Sequence, residues 1–90
     1  MRQIVPTTQF KRDARLAERR GLALDALREV IRQIAEGETL PPKYRDHKLT
    51  GPLRDCRECH IHPDWLLVYR LTESEMVLVR TGTHADLFGK

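Results

Sequence analysis

No apolar run in this chain exceeds the five residues Trp65–Tyr69, far short of the roughly twenty needed to span a bilayer. The opening Met1-Arg2-Gln3-Ile4-Val5-Pro6 lacks the apolar core of a signal peptide. The expected compartment is therefore the cytoplasm, with no membrane partner. Cysteine is scarce, two in 90 residues, too few for a disulfide framework in a reducing compartment. Aromatics are few as well, one Trp, two Tyr and two Phe. No internal repeat is present, which excludes a solenoid, and at this length a single domain with one modest core is expected.

Charge and periodicity are what the chain does have. Charged residues make up 32% and the net charge is +3, unevenly spread. Residues 9–32 carry Lys11, Arg12, Arg15, Arg19, Arg20, Arg28 and Arg32 against four acids. Residues 43–57 carry Lys43, Arg45, Lys48, Arg54 and Arg57 against two. Clustered basic groups suit either a solubilising surface or a phosphate-bearing partner.

The pattern predicts a strand over residues 2–5, ended by Pro6, which cannot donate to a ladder. Thr7 and Thr8 are good N-cap residues for a helix reaching about Arg20, with Phe10, Ala14 and Ala17 on one face and Gly21 at its end. A second helix, about 23–36, carries the wide stripe Leu24, Leu27, Val30, Ile31, Ile34 and Ala35 and ends at Gly37. Residues 38–52 hold three prolines and no period, a loop long enough to suggest function. Three strands follow: 53–61, 65–71 and 76–81, with turns at 62–64 and 72–75. The expected class is α+β, in the order β-α-α-β-β-β. The last three strands form an antiparallel meander, the helical hairpin covers one sheet face, and the other face is left open to solvent.

Two groups of residues invite a chemical reading. Cys56-Arg57-Glu58-Cys59-His60 matches the C-x-x-C-H string of haem attachment, but the strand context and missing export signal argue against it. Zinc on Cys56, Cys59, His60 and His62 is the next reading of the same residues, ahead of haem but behind two small apolar cysteines in a reduced protein. On a strand Cys56, Glu58, His60 and His62 share one face and Cys59 takes the other, so the two thiols chelate poorly. No metal and no cofactor are expected. The second group is the histidines. His60 and Asp64 flank one hairpin, the last strand runs back toward that end, and His84 follows it. His47 sits in the basic loop. Imidazoles and a carboxylate gathered at one sheet end suit proton transfer around a phosphate. Metal-free RNA cleavage needs only a base for the 2′-OH, an acid for the leaving 5′-oxygen and cations for the phosphate. Trp65 and Phe88 are placed to stack bases.

Three blocks make the sequence recognisable: Arg45-Asp46-His47-Lys48-Leu49-Thr50-Gly51, then Cys59-His60-Ile61-His62-Pro63-Asp64-Trp65, then Arg80-Thr81-Gly82-Thr83-His84-Ala85-Asp86-Leu87-Phe88-Gly89. In this order and spacing the chain resembles the YafQ branch of the RelE-type toxins, the mRNA interferases of type II toxin–antitoxin pairs, over nearly its whole length. The resemblance implies a RelE-like fold and a ribosome-dependent endoribonuclease that cuts mRNA in the decoding site. It carries over His47, His60, Asp64, Trp65, His84 and Phe88 as functional positions. His84 is expected as the general acid, and Asp64 as the base or its orienter. His60 and His47 would hold the phosphate, and Phe88 would align a base. Arg80, Lys48 and Arg54 are expected to meet RNA charge. The implied partners are mRNA, ribosomal RNA and a cognate antitoxin, with operator DNA reached through the antitoxin. Cys56, Cys59 and His62 lie outside the family pattern. A catalytically silent binding module of the same fold is the alternative from another class.

Overall fold

A computed structural model describes residues 1–89. The elements are β1 (Gln3–Pro6), α1 (Thr8–Arg19), α2 (Leu24–Ala35), β2 (His47–Lys48), β3 (Arg57–His62), β4 (Trp65–Leu71), β5 (Glu75–Gly82) and α3 (His84–Phe88). Short 3-10 turns lie at Pro42–Tyr44 and Gly51–Leu53. The class is α+β, as expected.

Pro6 ends β1 and Thr7 caps α1. The Thr7 side chain accepts from the Phe10 N–H at 3.0 Å and donates to the Val79 carbonyl at 3.0 Å. One residue thus satisfies an orphan helix donor and ties the helix start to β5. The α2 stripe packs as its spacing dictates: Leu27, Val30, Ile31, Ile34 and Ala35 are buried, with Phe10 and Ala17 from α1. Against them lie Cys59 and Ile61 of β3, Trp65, Leu67 and Tyr69 of β4, and Met76 and Leu78 of β5. Period-two alternation selects this set from each strand.

The sheet order is β1-β5-β4-β3-β2. The meander is antiparallel, while β1 runs parallel to β5 with Gln3 opposite Glu75 and Pro6 opposite Leu78. Two irregularities bend the sheet, at His60/His62 in the β3–β4 pair and at Val68/Tyr69 in the β4–β5 pair. Four expectations need correction. The strand expected over 53–61 begins only at Arg57, because residues 51–53 form a 3-10 turn. The stretch 38–52 is not one loop; β2 and the 3-10 turns punctuate it. A helix, α3, follows β5 where no further element was expected. The second sheet face is not open along its length, since Leu66, Val68 and Val77 are buried outside the helix-facing cluster. Among the described residues no helix is long and apolar enough to cross a membrane.

Candidate active site

Alternation along β3 sends Cys59 and Ile61 into the helix-facing core and leaves Glu58 and His60 on the opposite face. There His60 sits between two other imidazoles. Its ring centroid is 6.4 Å from that of His47 and 5.7 Å from that of His84. Burial pulls His60 below the usual imidazole range; the Glu58 carboxylate opposes this, while Arg45, His84 and His47 reinforce it. A half-buried imidazole kept neutral is a competent proton acceptor.

His84 is held differently. Asp64 Oδ1 accepts from the His84 backbone N–H at 3.0 Å and from its Nδ1 at 2.7 Å. These two bonds lower the Asp64 carboxyl below its ordinary range. A carboxylate on Nδ1 fixes that nitrogen as a donor and leaves Nε2 free. The helix under His84 is only five residues long, so it needs local support. Thr83 and Asp86 form a capping box. Arg20, at the end of α1, grips Asp86 at 2.7 Å. Gly82 allows α3 to pack this closely, because a Cβ there would lie 3.0 Å from both Cβ and Oδ2 of Asp86.

His47 enters from β2, the sheet edge. Its Nδ1 lies 2.7 Å from the Arg45 carbonyl and its Nε2 3.1 Å from Glu58 Oε2. Both nitrogens face acceptors, which hold the ring in place. The segment bearing it is pinned from below. The Tyr69 hydroxyl donates to Asp46 Oδ1 at 2.5 Å, and the Arg57 guanidinium donates to Asp46 Oδ2 at 3.2 Å. Arg45, just before, adopts a left-handed backbone at φ 51°, the one non-glycine residue to do so among the described residues. That conformation is strained for an arginine. It turns the Arg45 carbonyl toward His47.

The structure thus brings together His47, His60, Asp64 and His84, the four residues expected to act on the phosphate. It adds Glu58, a carboxylate 6% exposed. Alternation had placed Glu58 on the His60 face, but nothing in the pattern indicates its depth. Phe88 is exposed at the end of α3, free to meet a base. Lys48 and Arg54 are exposed and make no ion pair among the described residues.

Two expected RNA contacts are placed elsewhere. Trp65 is 2% exposed, packs in the helix-facing core and donates its indole N–H to Thr81 Oγ1 at 3.0 Å. It cannot stack a base, because its apolar ring gains more from the core than from solvent. Arg80 is bound to Asp13 of α1, Nε to Oδ2 at 2.7 Å, and does not join the histidines. Burial raises the Asp13 carboxyl, but bonds from Arg80, Gln9 and the Thr81 N–H outweigh it and leave it below its ordinary range.

The cysteine reading of a metal site also fails on geometry. Cys59 is fully buried in the helix-facing core, on the face of β3 opposite His60, so the two cannot share an ion. The residues that can present ligands together are Glu58, His60 and His84, with one atom from each lying within 4.8 Å of the others. Glu58 Oε1 and His60 Nδ1 are buried without a hydrogen-bond partner among the described residues. A tetrahedral ion needs ligand atoms about 3.3 Å apart, so the three would have to draw inward.

Comparison with known proteins identifies the family. Residues 2–89 match the family described as bacterial toxin of type II toxin–antitoxin system, YafQ. The mRNA interferase toxin YafQ of Escherichia coli (strain K12) is 37% identical over 89 residues, covering 98% of this chain and 97% of that protein. The toxin in the crystal structure of the E. coli DinJ–YafQ toxin–antitoxin complex superposes with a TM-score of 0.91, at 37% identity and 98% coverage of both chains. A metal-bound toxin from Helicobacter pylori superposes with a TM-score of 0.92, at 41% identity, covering 98% of this chain and 100% of that one.

Proposed function

Because this chain belongs to the YafQ family of bacterial type II toxins, we propose that its histidine cluster cleaves mRNA held in the ribosomal decoding site, with an antitoxin partner to restrain it. The observation that carries this reading is the Asp64–His84 pair set 5.7 Å from a half-buried His60. His60 takes the proton from the 2′-OH of the residue before the cut. The freed 2′-oxygen attacks the adjacent phosphorus and the bond to the 5′-oxygen breaks. His84, steered by Asp64, delivers its Nε2 proton to that leaving oxygen. The products are a 2′,3′-cyclic phosphate and a 5′-hydroxyl. Arg45 and Lys48, which flank His47 in the sequence, supply positive charge for the phosphorane. Glu58 holds His47 from beneath. Phe88 aligns a base by stacking.

The test is single-turnover cleavage on ribosomes programmed with a defined mRNA. The protein cuts that mRNA, and a single 2′-deoxy substitution before the cut abolishes cleavage. Equal cutting of the deoxy substrate would overturn the mechanism. Protein that cuts no mRNA, with or without ribosomes, would favour a silent binding module.

The unpartnered Glu58 Oε1 and His60 Nδ1 favour one further property of the same cluster. A divalent ion of the copper or zinc kind, held by Glu58, His60 and His84, suits nitrogen and carboxylate ligands. Such an ion would occupy the nitrogens that move protons. Its binding and RNA cleavage would be mutually exclusive.

A further inference from the structure

Beside the histidine cluster lies a hollow of about 390 Å³ that the mechanism leaves unused. It shares His60 with the cluster, and none of its lining comes from α3. Its apolar surface is Ala26 of α2, the buried Ile61 and Pro63; Tyr44 contributes an aromatic ring. The charged and polar lining is Lys43, Arg45 and His62, with no acidic residue. Lys43 Nζ sits 5.1 Å from the Tyr44 ring centroid, so aromatic surface and cation are presented together. His62 is likewise steadied, its ring 5.6 Å from that of Trp65.

We propose that this hollow is a nucleobase subsite, which takes the base of a nucleotide next to the scissile phosphate. The proposal rests on the mRNA-cleaving reading above and deepens it. Three features select this occupant. The volume falls in the range of small-ligand pockets and matches one planar ring system with part of its ribose. An aromatic ring with apolar neighbours is the platform on which unpaired bases stack, and Lys43 and Arg45 match the charge of the adjoining backbone. The shared wall at His60 does the rest. A strand whose phosphate lies at that imidazole must carry a neighbouring base past Tyr44. Lys43 and Arg45 donate and do not accept, so the base edge they meet is one that presents oxygen or ring-nitrogen acceptors. Phe88 belongs to another element and takes a different base. The histidine cluster does the chemistry, and the hollow fixes where along the strand the cut falls.

The experiment is a cycle of substrate and protein changes on programmed ribosomes. Abasic ribonucleotides are placed one at a time on either side of the cut, and cleavage by wild-type protein and by Tyr44→Ala is followed. For wild type, one abasic position lowers cleavage efficiency about tenfold or more, the scale of a lost base stack. Tyr44→Ala shows a similar loss on intact mRNA and little further loss on that abasic mRNA. If wild type cuts both abasic substrates as fast as the intact one, the subsite does not exist. If the protein and substrate effects multiply independently, the base lies elsewhere. Absence of any cleavage by wild type would instead remove the endoribonuclease reading on which the proposal stands. Should Tyr44→Ala fail to fold, Lys43→Ala, at an exposed position lining the same hollow, takes its place in the cycle.

Discussion

His84 starts a short surface helix, and its ring contacts are to the exposed Asp64 and the neighbouring His60. Replacing it by Ala removes little packing, so His84→Ala should change unfolding free energy by no more than about 1 kcal/mol. Its single-turnover cleavage rate should nevertheless fall about 10²-fold or more, the scale of a lost general acid. Urea unfolding beside ribosomal cleavage assays separates the two. Glu58 tests the metal property. Cleavage should survive a chelator at levels that leave ribosomes intact, and added copper or zinc should inhibit it. Glu58→Gln should weaken that inhibition by tenfold or more, because an amide is a far poorer ligand than a carboxylate. Inhibition of equal strength in the variant would place the ion elsewhere. These residues differ in how far the sequence exposes them. Topology alone brings His60, Asp64 and His84 to one sheet end. Burial is a property of what covers a strand, so alternation assigns Trp65 and Glu58 to faces without saying that either is enclosed.

Among the elements, the segment from Pro42 to Lys48 depends most on distant support. It contains a 3-10 turn, a strained Arg45 and a two-residue strand, and its anchor is the contact of Asp46 with Tyr69 and Arg57. Tyr69 is 1% exposed, and its hydroxyl is pushed above the ordinary range by burial and by the Asp46 carboxylate. Tyr69→Phe keeps the ring and deletes the donor. It should cost about 1.5–3 kcal/mol of stability, as for a bond to a charged group. Cleavage should slow with it, because His47 loses its fixed carrier. Thermal melts and cleavage at a temperature where the variant remains folded check both. The helices and the three long strands are legible in the sequence, since each repeats its period several times. This segment is not, because its structure is set by partners in β3 and β4, up to 23 residues away. Helix α3 is missed for another reason: five residues give hardly more than one turn, too short for a period, and only the Thr83–Asp86 spacing hints at a cap.

On the scale of the whole molecule, one half-buried ion pair joins layers that hydrophobic packing already brings together. Asp13 of α1 binds Arg80 and the Thr81 N–H of β5, and Thr81 in turn takes the Trp65 indole. Because the Asp13 carboxyl lies below its ordinary range in the folded state, its ionised form stabilises the fold above about pH 4, the unfolded value. That contribution is lost as pH falls through the lower folded value. Asp13→Asn should therefore be less stable than wild type at pH 7, by about 1–2 kcal/mol. The gap should close as the pH drops below about 4. A constant gap in urea unfolding at pH 3 and pH 7 would mean that Asp13 acts through shape and not charge. The sequence shows Asp13 as a polar residue on the α1 face, close to Phe10, Ala14 and Ala17. That pattern cannot reveal a partner 67 residues away.

The parallel pairing of β1 with β5 also bears on how the protein is made. Gln3–Pro6 pairs with Glu75–Leu78, so β1 has no neighbour to pair with until β5 has been made. Contacts of such long sequence separation form late and slow folding. His84 follows that strand. In a nascent chain, β1 therefore stays unpaired and His84 cannot reach Asp64 and His60 until β5 has been made. Closing the sheet and assembling the histidine cluster become one late event, set by the order of elements along the chain.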